Sequence, residues 1–286
     1  GAIFAPLICG YFGETYGFRY GFMIAGFAMM LGLIVYMIAA ERFLGEIGKY
    51  PVHKQKANSD MDKRPLTKIE KDRIIVIVIL LLFVTFFWTG FEQAGTTLTL
   101  YTDNFVDKTI FGWEMPTSWF QAINPVFIVL LGSVFAALWV ALAKIKRNPS
   151  TPVKMGIGMI ALSVGFLFMV GAVMQRGGDV KDIAVKASLW WIIITYLFHT
   201  IGELCLSPIG LSMVTKLAPA RYSSLFMGIW FLSSAVANLL SGIFVSFVEK
   251  LGPMTIFAGI AIFISSLGII VILISKWLVK MMHGND

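Results

Sequence analysis

Two carboxylates stand where carboxylates are costly. Glu203 lies in "HTIGELCLSPIGLS" (199–212) and Glu92 in "FFWTGFEQAGTTLTLY" (86–101), each inside an apolar run long enough to cross a bilayer. A charge at mid-bilayer costs roughly 2.5–3.5 kcal/mol on insertion scales. The other fourteen of the sixteen acidic residues fall in loops or at helix ends, and no Lys or Arg lies deep in a complete apolar run. An unpaired carboxylate at that depth belongs in a bundle interior or a wet cavity. There it can hold a cationic group or exchange a proton. The structural alternative is a protonated, hydrogen-bonded packing residue.

Spacing gives these carboxylates company. On 187–216, Tyr196, His199, Glu203, Ser207 and Gly210 recur at steps of three or four and share one helical face. His199 precedes Glu203 by one turn, near enough to share a hydrogen bond or proton with it, or to serve only as an interhelical polar contact. Pro208 lacks an N–H and frees the carbonyl of Leu204, which predicts a bend, either a gate or a fixed kink. On 73–101, Thr85, Trp88, Glu92, Thr96 and Thr99 form a second stripe with Gln93 beside it. On 222–248, Trp230, Ser234, Asn238 and Gly242 step by four. Asn124 and Pro125 put an amide and a second helix break into 119–143. Converging faces of this kind make a cavity. Trp88 and Trp230 would supply its apolar walls, and Glu92, Glu203, Asn124 and Ser234 its polar anchors. Such a cavity suits an amphipathic solute with a cationic group. The glycines of "GIGMIALSVGFLFMVG" (156–171) fit plain close packing between helices.

The elements that must position these residues are membrane helices. The chain is 58% hydrophobic and only 14% charged, with mean hydropathy +0.82, which describes an all-α polytopic membrane protein. Apolar segments run over 1–12 (a partial span), 20–40, 73–101, 119–143, 153–174, 187–216, 222–248 and 253–281. The opening "GAIFAPLICGYFG" has the character of a span cut midway, so the chain is expected to be the C-terminal part of a longer protein. The division expected is 1–40, the end of one bundle; 41–72, a polar linker; 73–281, a six-helix bundle; and 282–286, a tail. Seventeen of the 23 Lys and Arg residues fall on the side of the linker and the tail, which places both in the cytoplasm.

That placement also accounts for the net charge of +7 without nucleic acid as a partner. Cys9 and Cys205 sit apart in apolar runs and suggest neither a disulfide nor a metal site. No Walker A loop, HExxH, GxSxG or metal-spaced Cys/His set is present, so no enzyme and no cofactor is expected.

Taken together, "FFWTGFEQAGTTL", "SWFQAINPVFIVLL", "GELCLSPIGLSMVTKLAP" and "GIWFLSSAVANLLSG" resemble the proton-dependent oligopeptide transporters of the major facilitator superfamily. The opening "GAIFAPLICGYFGETYGFRYGF" is similar to the end of that family's fifth helix and the start of its sixth. The resemblance implies a fold of two six-helix bundles, with this chain holding the second. It implies alternating-access uptake of di- and tripeptides with protons across the cell membrane. Residue by residue, it implies that Glu203 receives the peptide's amino terminus, that Glu92 is linked to protonation, and that Asn124 meets the peptide backbone. Trp88, Trp230 and Ser234 would line the cavity. The family's motifs on its first and fourth helices lie outside this sequence, and 41–72 lacks the two extra helices that many bacterial members insert. A zwitterionic peptide also needs a cationic anchor, so the missing N-terminal bundle is expected to supply a Lys or Arg. Three alternatives stand beside this reading: a relative carrying nitrate or another small solute, a channel, and a receptor or scaffold whose polar stripes only glue helices.

Overall fold

The computed structural model describes residues 1–47, 65–179 and 182–284. These divide into two compact units, Gly1–Leu66 and Thr67–Asp286.

The first unit is a helical hairpin. A π-helical turn, Pro6–Gly10, runs into α1 (Tyr11–Tyr16), and α2 (Phe18–Leu44) follows directly. The connection expected over 13–19 shrinks to Gly17, whose φ of 111° favours glycine.

The second unit begins with a capping box. Thr67 Oγ1 accepts from the Glu70 N–H at 3.2 Å, and the Thr67 N–H donates to Glu70 Oε2 at 2.8 Å. This starts α3 (Lys68–Phe91) five residues before the apolar run does. Both ends of the expected 41–72 linker are therefore helical, since α2 also runs to Leu44. Helices outlast the hydrocarbon they cross, and charged residues such as Arg42 and Lys71 extend them. Residues 48–64 of that linker, and Asn285 and Asp286 of the expected tail, lie outside the described residues.

The run expected as one helix over 73–101 is broken. After α3 come a 3₁₀ turn, Glu92–Gly95, and a separate α4 (Thr97–Phe105). Next is a short hairpin of β1 (Thr109–Ile110) and β2 (Trp113–Glu114). Beside it, Asp107 accepts from the Thr109 N–H at 3.0 Å. That bond and the Thr109 hydroxyl hold the Asp107 carboxyl below its ordinary range. A 3₁₀ segment, Thr117–Ala122, then leads into α5 (Ile123–Lys144), followed by α6 (Thr151–Gln175), α7 (Leu189–Leu217), α8 (Ser223–Leu251) and α9 (Pro253–Met282). Counting the broken segment as one, seven helices among the described residues are long and apolar enough to span a membrane. The protein is a multi-pass membrane protein.

Within this unit α6 lies between α7 and α9, and small residues set the spacing. A Cβ on Gly158 would come within 2.7 Å of the Gly202 carbonyl oxygen, and one on Gly156 within 2.8 Å of that of Gly268. The glycine run thus brings backbones together, as its spacing predicts. Apolar side chains of α3, among them Ile77, Leu80, Val84 and Phe87, fill the core. α5 buries no side chain. Lys154 and Arg176 are buried at the two ends of α6, the first 4.9 Å from the Trp139 ring centre and the second 3.9 Å from that of Phe105.

Gly158→Val should therefore overpack the α6–α7 seam and lower stability by about 1–3 kcal/mol. Gly132→Ala on α5, with nothing within 4 Å of its added Cβ, should not destabilise the bundle. Thermal unfolding of the two variants in one detergent checks the contrast.

Candidate functional site

Glu203 sits in the middle of α7, half buried, and its donor comes from another helix. Asn124 Nδ2 donates to Glu203 Oε2 at 3.0 Å and to Thr200 Oγ1 at 3.0 Å. Thr200 in turn donates to the Tyr196 carbonyl at 2.8 Å. A carboxylate, an amide and a hydroxyl thus form one network joining α5 to α7. Asn124 is the second residue of α5, held there by the switch from the 3₁₀ segment to α-helix. Pro125 occupies the first turn of that helix, where a missing N–H costs nothing. The break expected at Asn124–Pro125 is this helix start. At Pro208, by contrast, α7 continues without interruption, and the proline is exposed on its surface.

Glu92 opens the 3₁₀ turn, where the backbone leaves the α-helical path. The side chain of Asn238 of α8 lies beside it. Asn238 donates to the Ser234 carbonyl at 3.0 Å. Thr96, at the end of the turn, has φ −123° and ψ −96°.

Such a break needs partners inside a membrane, where freed backbone groups cannot turn to water. Gln93 supplies one of them and ties the turn to its neighbours. It is fully buried, and its Nε2 donates to the Thr89 carbonyl at 3.1 Å and to Ser241 Oγ at 3.0 Å. Its Oε1 accepts from Thr97 Oγ1 at 2.6 Å. Thr96 Oγ1 lies 3.1 Å from Ser241 Oγ and donates to the Glu92 carbonyl at 3.3 Å. On the other side, the Ala94 carbonyl accepts from Gln121 Nε2 at 2.6 Å and from Thr99 Oγ1 at 2.7 Å.

The remaining residues singled out in the sequence fall as follows. Trp230 is buried against Gly210, where any Cβ would collide with its ring. Trp88 packs edge-on against Phe87 and Phe91, at centroid distances of 5.5 and 5.1 Å. Ser207 is half buried one turn after Glu203, and Ser234 half buried one turn before Asn238. His199 does not join Glu203. Its ring lies on Gly165 and 4.8 Å from the Phe166 ring centre, and neither nitrogen has a hydrogen-bond partner among the described residues. At 3.6 residues per turn His199 and Glu203 stand only about 40° apart, yet His199 meets α6 while Glu203 meets Asn124.

Thr200 was open to recognition from the sequence, because it precedes Glu203 by three residues. Ser241 was not. It lies one residue off the Trp230–Ser234–Asn238–Gly242 stripe, and only the position of Gln93 gives it a role.

A model described as POT family matches residues 49–257. The uncharacterized transporter YclF of Bacillus subtilis is 32% identical over 99% of the chain and 66% of its own length. The peptide transporter YePEPT of Yersinia enterocolitica is 38% identical over 75% of the chain and 39% of its own length. A crystal structure of the peptide transporter POT in complex with sulfate superposes with a TM-score of 0.85 at 30% identity, over 99% of this chain and 66% of that one. The chain thus spans at most about two thirds of these relatives.

If Gln93 fastens the break, Gln93→Leu should lower stability by about 1–3 kcal/mol, because Thr97 and Ser241 lose buried partners. Ser241→Ala, which removes one member of the same network, should cost less. Denaturation midpoints in detergent measure both.

Proposed function

The chain belongs to the POT family, and from that premise we propose that it forms the substrate-gripping half of a proton-coupled symporter for di- and tripeptides. The observation that carries this is the pair of carboxylates at membrane depth in one bundle, Glu203 with an amide donor from another helix and Glu92 set in a helix break. In this reading Glu203 receives the peptide's ammonium. Asn124 already donates to one of its oxygens, and the other is left to a ligand. Asn124 can also turn its amide to the peptide backbone. Glu92, set in a helix break beside Asn238, takes and releases the driving proton. Trp88, Trp230, Ser207 and Ser234 line the path, and Pro208 and Pro125 bound the segments that move. The packing of His199 against Gly165 and Phe166 supports a place in the scaffold more than one in the proton path.

A second, N-terminal bundle of the same protein supplies the cation for the peptide's carboxylate and the other half of alternating access. The protein resides in the cell membrane with 41–72 and the C-terminus in the cytoplasm, as the distribution of Lys and Arg supports.

Glu203→Gln should weaken binding of dipeptides with a free amino terminus by about tenfold or more, roughly 1.4 kcal/mol, and leave N-acetylated peptides nearly unchanged. Equal loss for both, measured by titration of the complete transporter, would remove the amine-anchor role. Glu92→Gln should abolish gradient-driven uptake into proteoliposomes while sparing counterflow. Driven uptake at the wild-type rate would clear Glu92 of coupling.

A further inference from the structure

The bundle contains a cavity of about 290 Å³ between α3, α8 and α9. Its wall includes Phe86 and Gly90 of α3, Gln93 of the 3₁₀ turn that follows, Leu240 and Phe244 of α8, and Gly259 of α9. Neither Glu92 nor Glu203 lines it, so it is not the site described above.

Water is a poor occupant. The wall is almost wholly apolar, and its polar members are already satisfied. Both Gln93 donor hydrogens are used, on Thr89 and Ser241, its carbonyl accepts from Thr97, and Thr89 Oγ1 donates to the Thr85 carbonyl at 2.8 Å. A bound water needs two to four polar partners, and apolar cavities take up hydrocarbon instead. The surroundings say which hydrocarbon. The helices that form the wall are membrane spans, and Phe86 and Phe263 make an edge-to-face pair at 5.3 Å with Phe263 partly exposed. Beside the cavity, Ile262 of α9 is 66% exposed and Leu239 of α8 65% exposed, so its surroundings continue as the apolar outer faces of both helices. Gly259 supplies room, since a Cβ there meets nothing within 4 Å.

We propose that this cavity between α3, α8 and α9 is a binding site for one acyl chain of a membrane phospholipid. The chain enters past Phe263 and ends against Gln93. The occupant therefore touches the residue that fastens the α3–α4 break, and lipid becomes a packing element behind the turn that presents Glu92.

The test uses the complete transporter in vesicles of phosphatidylethanolamine and phosphatidylglycerol, with a small fraction of phosphatidylglycerol carrying a diazirine near the end of one acyl chain. Photolysis and peptide mapping should place adducts on Phe86, Leu240 or Phe244 as well as on Leu273, which is 75% exposed on α9. Gly259→Leu fills the cavity from within and should lower the cavity adducts, relative to Leu273, by about tenfold or more. Leu240→Phe narrows it from α8 and should act in the same direction, which keeps the test decisive if one variant folds poorly. Cavity adducts unchanged in both variants would overturn the proposal. So would their absence from the wild type, the result expected if another part of the protein covers the mouth. Labelling requires no transport, so it succeeds or fails independently of the peptide reading.

Discussion

Inside a bilayer a helix cannot stop without new partners for the backbone groups it frees. This constraint governs the arrangement around Glu92. The helix that carries it ends at Phe91, turns through Glu92–Gly95 and restarts at Thr97. Polar side chains near the turn answer that interruption. Gln93 and Thr96 bind inward to Ser241 of α8, while Gln121, ahead of α5, reaches the Ala94 carbonyl. The break is therefore a joint fastened to two neighbouring elements. The same fastening lends the turn the stability that a mid-membrane interruption would otherwise forfeit.

Glu203 is presented in the opposite manner. Its helix runs unbroken from Leu189 to Leu217, and the adjustment is made by a neighbour. The 3₁₀ lead-in to α5 brings Asn124 to the carboxylate, and Thr200 Oγ1 accepts from the same amide nitrogen. Behind this face the bundle is rigid, because α6 touches α7 through Gly158 and Gly202 with no side chain between them. One carboxylate thus depends on a local break and the other on an uninterrupted wall.

Much of this was legible in the sequence. Apolar runs located the spans, because length and hydropathy dominate in lipid. The two deep carboxylates stood out in the sequence as candidates, because nothing else of their charge lies at that depth. The glycine spacing on α6 forecast close packing. What escaped was set by partners distant in the chain. The 3₁₀ turn at Glu92 has no local breaker strong enough to announce it; Gly95 alone signals little, and the tertiary bonds of Gln93 decide the geometry. His199 shows the limit of a helical stripe, since two residues on one broad face can serve different neighbours. Thr67 and Glu70 form a capping box that hydropathy overlooks, and this explains the early start of α3.

The most direct measurement is of proton movement itself. The complete transporter is reconstituted into vesicles loaded with a pH-sensitive dye, and a dipeptide is added outside with no imposed gradient. The account predicts acidification of the lumen that tracks peptide entry and disappears in Glu92→Gln. Peptide entry without luminal acidification would contradict it.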